Sequence, residues 1–132
     1  MGINRVTAVV QVRGEYRKCY EFYTEKVGLV PIYGDGHGPY TNFSNRRDGE
    51  PFFAMYCSHD LAKRTPGYIV SESTASTDTL SATFHTDDFE ADYKKMQAAG
   101  VAFEKVDMGC EFNMAVFRDP EGNTLSLEDG GV

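Results

Sequence analysis

An order of hydrophobic periodicities that occurs twice constrains the fold of this chain more than any single motif does. In residues 3–12, Val6, Ala8, Val10 and Val12 alternate with Thr7, Val9 and Gln11, the pattern of a half-buried strand. Tyr16, Cys19, Tyr20, Tyr23 and Val27 then recur at helical spacing over residues 15–27, and Gly28 supplies the stop. Residues 29–33, 40–44 and 51–57 are short aromatic or branched segments separated by turn clusters, which predicts three more strands. The second half repeats the order. Residues 80–86 predict a strand. Asp87 is placed to cap a helix in which Glu90 completes the capping arrangement, and Phe89, Tyr93 and Met96 mark the buried face. Gly100 ends this helix, and residues 101–106, 112–118 and 124–128 predict the last three strands. The predicted fold class is α+β: module 1 at about 3–57, module 2 at about 80–129, and between them a polar linker, 58–79, carrying a short helix at 59–63.

Length and charge narrow the function. A chain of 132 residues with 41% hydrophobic content suits one domain spanning 1–132. Lys and Arg total 13 against 20 for Asp and Glu, and a net charge of -7 disfavours nucleic acid and anionic membranes as partners. No apolar run approaches the roughly 20 residues of a membrane span, and residues 1–5 lack a signal peptide's hydrophobic region, so a soluble, cytoplasmic protein is expected. Cys19, Cys57 and Cys110 are odd in number without CxxC spacing, which fits reduced cysteines rather than a disulfide framework or zinc site.

Near the C-terminus, Asp119-Pro120-Glu121-Gly122-Asn123 joins two apolar segments through a tight turn, explicable by turn chemistry alone. Taken with the doubled module, the segment Glu21-Phe22-Tyr23-Thr24-Glu25-Lys26-Val27-Gly28-Leu29 and the segment Ala98-Ala99-Gly100-Val101, it gives a chain that resembles the vicinal oxygen chelate superfamily of glyoxalases, bleomycin resistance proteins and extradiol dioxygenases. The resemblance implies two βαβββ modules forming a curved mixed sheet around a ligand-binding cup, with helices on the outer face. It also implies a homodimer, swapped or unswapped.

Metal-dependent members draw ligands from the first and last strands of each module, commonly two histidines and two glutamates. Carried onto this chain, those positions fall on Thr7 or Ala8, on Ala54, on Ser81 and on Ser126, none of which offers imidazole, thiolate or carboxylate. The resemblance is therefore to members lacking the metal-ligand set; no cofactor is expected. A divalent metal at a displaced site would need His85 and Glu128 with His37 or His59.

Strand parity and the resemblance together mark Thr7, Val9, Gln11, Tyr40, Asn42, Ala54, Tyr56, Ser81, Thr83, His85, Ser126 and Glu128 as candidate ligand-binding residues. Phe52 or Phe53 also borders the cup. An aromatic wall with a few polar groups suits a planar or amphipathic small molecule, and the acidic surface favours cationic ones. The loop 34–39 is glycine-rich but lacks the strand-to-helix context of a phosphate loop, and is expected as a hairpin at the cup's rim. Two functions follow: a small-molecule binding protein, or a lyase-, isomerase- or dioxygenase-like enzyme using His85 and Glu128 as catalytic acid and base.

Overall fold

The computed structural model describes residues 2–65, 67, 80–108 and 113–129. Expectations for Cys110, Phe112 and most of the linker lie outside them. In the described residues each half forms a four-stranded mixed sheet. The first has β1 (Ala8–Gln11), β2 (Val30–Tyr33), β3 (Tyr40–Ser44) and β4 (Phe53–Tyr56) in the order β1-β4-β3-β2; the second has β5 (Leu80–His85), β6 (Phe103–Asp107), β7 (Met114–Arg118) and β8 (Thr124–Glu128) in the order β5-β8-β7-β6. In each sheet the first and last strands run parallel and the other pairs antiparallel. β1 lies beside β5, so the two sheets meet at their first strands.

Several expected boundaries move, three of them for a visible reason. The first strand begins at Ala8 because its partner β4 begins at Phe53, the register mate of Ala8; without a neighbour, Ile3 and Val6 remain 75% and 85% exposed. The strand expected at 101–106 starts at Phe103, because the Val101 amide closes the preceding helix by donating to the Met96 carbonyl at 3.0 Å. That helix, which becomes α3 below, is capped by Asp88 rather than Asp87. The Asp88 side chain accepts from the Ala91 amide, while Glu90 pairs with Lys94 at 2.9 Å instead of reaching back.

The first helix, α1 (Tyr16–Glu21), continues as a π-helix through Phe22–Val27 to Gly28, whose φ of 93° admits the left-handed stop. The wider winding buries the adjacent residues Phe22 and Tyr23 together, where an α-helical reading buries only Tyr23. A short helix, α2 (Ser58–Arg64), follows β4, and α3 (Phe89–Ala98) follows β5. The loop 34–39 packs on α1: at Gly36, with φ of 87°, a Cβ would lie 2.6 Å from Arg17 Nη1 and 2.8 Å from the Tyr20 ring, so glycine suits that approach.

One hydrophobic core joins both modules. Tyr23 is fully buried at its centre, with ring centroids 4.8 Å from Phe53 and 5.9 Å from Phe43, and Phe53 meets Phe84 of the second module at 5.1 Å. The C-terminal turn fastens the modules. Asp119 accepts from Tyr23 Oη at 2.6 Å, Glu121 Oε1 accepts from the Glu15 amide at 3.3 Å, and Asn123 Nδ2 donates to the Gln11 carbonyl at 3.1 Å. A motif that turn chemistry alone explained is thus also the latch between the halves.

Candidate functional site

Because Val10, Phe43, Phe53 and Met55 enter the core, the alternate residues of the first sheet share its opposite face. Strand register arranges them in two rows, Val9–Ala54–Asn42 and Gln11–Tyr56–Tyr40. Tyr33 of β2 joins through a register shift that pairs it with Asn42, and its ring lies 6.3 Å from that of Tyr40. Sequence parity missed Tyr33, since only the bulge between Pro31 and Tyr33 brings it into this group. At the edge, Ser58 Oγ donates to Gln11 Oε1 at 2.6 Å.

The second sheet repeats the pattern. Ala82, Phe84, Ala115, Phe117, Leu125 and Leu127 face the core, leaving the rows Thr83–Ser126–Val116 and His85–Glu128–Met114 on the other side. Val116 and Met114 were absent from the sequence-derived set; once β7 is in register, its parity places them. Thr7 precedes β1, and Ser81 falls in the irregularity between Leu80 and Ala82, so neither has a register partner in these rows.

Ser126 is fully buried beneath this face, its Oγ 3.0 Å from both Thr83 Oγ1 and Glu128 Oε2. A hydroxyl carries one proton and a carboxylate accepts only, so Ser126 donates to Glu128 and the Thr83 hydroxyl donates to Ser126. The result is a directed chain, Thr83 to Ser126 to Glu128, that terminates on a carboxylate.

The residues at the family's metal positions do not fit a metal. Ala54 and Ser126 have as in-register neighbours on their modules' first strands Val9 and Thr83, and none of the four supplies imidazole, thiolate or carboxylate. His85 and Glu128 are register partners. His37 lies in the loop on α1, and His59 on α2 has Nε2 3.3 Å from Arg13 Nη2. Among the described residues no three His, Cys, Asp or Glu side chains gather to hold a metal ion.

Electrostatics leave two phenols and one thiol protonated. Burial pushes Tyr16 up to about 12, against the opposing hydrogen bond with Thr41 at 2.7 Å. Burial, then the charge of Asp119, holds Tyr23 well above the ordinary tyrosine value. Burial likewise raises Cys19, which makes it a packing residue and not a nucleophile.

A cavity of about 680 Å³ opens at the end of β5, between the C-terminal end of the π-helix, the β3–β4 connection and α3. It shares Thr83 and His85 with the sheet-face set, but its apolar wall of Val27, Leu29, Phe84, Met96 and Leu127 belongs to the helix side. Phe52, expected at the cup, lines this cavity, and Phe53 is buried in the core.

The family model of the Glyoxalase/Bleomycin resistance protein/Dioxygenase superfamily matches residues 2–127. No curated protein matches the chain. Similar solved structures include a lactoylglutathione lyase from Agrobacterium tumefaciens (14% identity, 98% of this chain and 95% of that chain, TM-score 0.70) and a glyoxalase/bleomycin resistance protein/dioxygenase from Nocardioides (16%, 98% and 84%, TM-score 0.68). A third is TnmS3, an antibiotic binding protein from Streptomyces sp. CB03234 (23%, 98% and 98%, TM-score 0.61).

Proposed function

From the premise that the chain belongs to the Glyoxalase/Bleomycin resistance protein/Dioxygenase superfamily, we propose that it is a small-molecule binding protein that holds a planar or amphipathic ligand on the sheet face opposite the core without a metal ion. One observation carries this reading. Tyr33, Tyr40 and Tyr56, from three strands of the first sheet, share that face with Asn42 and Gln11, while Ala54 and Ser126, which the resemblance matches to metal-ligand positions, offer no good donor for one. Flat rings supply contact area at small entropic cost, and neighbouring amides supply orientation. The antibiotic binding protein TnmS3 supports the binding class by its similarity. We propose further that the protein acts in the cytoplasm as a homodimer. No helix of the described residues is long and apolar enough to cross a membrane.

A second reading, a metal-free enzyme, rests on the register pairing of His85 with Glu128 and on the hydroxyl chain that ends at Glu128. Within it His85 and Glu128 exchange a substrate proton as acid and base. A thermal-shift screen with planar aromatic compounds separates the two: a binding protein returns each stabilising compound unchanged, whereas an enzyme converts it.

A further inference from the structure

The cavity between the π-helix and α3 is lined by two chemically different groups of side chains. Val27, Leu29, Phe84, Met96 and Leu127, with Phe52 at the mouth, form an apolar body whose volume of about 680 Å³ is that of a drug-sized ligand site. The other group is charged. Asp87, Asp88 and Asp92 stand on the lining against Lys95, an excess of two negative charges among these four. Asp88 is engaged as the helix cap and Asp92 accepts from the Thr86 hydroxyl, so both carboxylates are held in place; Asp87 is exposed.

We propose that this cavity, which meets the sheet face at Thr83 and His85 but has its apolar wall on the helix side, is a second ligand site for a small amphipathic cation: an ammonium group on a compact hydrophobic body. The apolar wall removes the body from water, and the carboxylates of the lining meet the ammonium, whereas a carboxylate-bearing ligand of the same shape meets like charge. The surrounding net charge of -7 adds attraction in the same sense.

Two methionines report on the two sites. Met96 lines the cavity, while Met114 lies in the His85–Glu128–Met114 row of the sheet face. The experiment titrates the full chain, labelled at its methionine methyls, with 1-naphthylmethylammonium and separately with 1-naphthoate, and follows methyl shifts and affinity. The ammonium is expected to move the Met96 methyl and not that of Met114, and to bind at least about fivefold more tightly than the carboxylate at low salt. Asp87→Asn, a surface change, should weaken the ammonium by about threefold and leave naphthoate unweakened. Leu29→Trp, which fills the cavity, should abolish the Met96 response, and Phe52→Ala at the partly exposed mouth should weaken it should the tryptophan variant fail to fold. Tyr56→Ala should leave it intact. An unmoved Met96 methyl, a response centred on Met114, or equal affinity for the two naphthyl compounds overturns the proposal. Failure here leaves the sheet-face reading standing, because that reading is read out by Met114 and Tyr56.

Discussion

Tyr23 donates its phenolic proton to Asp119 at 2.6 Å, joining the first helix to the C-terminal turn across 96 residues of chain in a fully buried bond. Asp119 also accepts from the Gly122 amide and from both nitrogens of Asn123, so its carboxylate organises the turn and binds it to the other module.

Removing only the phenolic hydroxyl, as in Tyr23→Phe, is expected to cost about 1–3 kcal/mol, since a buried carboxylate loses one donor while the ring packing stays. Asp119→Ala strips the acceptor from four donors and should cost more. Urea denaturation of the two variants checks the order; equal losses would contradict the latch.

Stability should hold up to about pH 10 and decline above it. Tyr16 titrates near 12 in the folded protein against an ordinary value of 10.0, and Tyr23 is raised in the same direction. Below the unfolded value both states hold the same phenolic protons. Above it the unfolded chain releases protons that the folded chain keeps, so unfolding becomes easier as pH rises through the folded value of Tyr16. Tyr16→Phe should lessen the slope of the urea midpoint between pH 10 and 12.

Much of this architecture is legible in the residues. The two module orders, the glycine stops at Gly28 and Gly100 and the sharing of one face by Thr83, His85, Ser126 and Glu128 follow from periodicity and parity, which are local properties. What escaped depends on partners distant in sequence. Val6 alternates correctly but has no strand beside it; Asp87 and Asp88 are both credible caps until backbone geometry selects one; Tyr33 reaches the aromatic face only through a bulge. The role of the Asp119–Asn123 turn as a latch was illegible for the same reason, because its partners Tyr23, Glu15 and Gln11 lie in the other module.

Restoring the family's carboxylate by Ser126→Glu should not restore a metal site. The neighbours Thr83 and Val116 offer no imidazole, and the new carboxylate would displace the buried hydroxyl beside Glu128. A loss of at least about 2 kcal/mol is expected from burying the charge, with no rise in Tm on adding zinc. A zinc-dependent gain would show that the donor set had been misjudged.

Ligand binding on the aromatic sheet face without metal is tested by thermal shifts with planar aromatic compounds in excess EDTA, run on the wild type and on Tyr56→Ala. Compounds are expected to raise the wild-type Tm with the chelator present, and Tyr56→Ala is expected to fold normally but lose the stabilisation. Stabilisation that requires a divalent metal, that persists undiminished in Tyr56→Ala, or that no compound produces would contradict it.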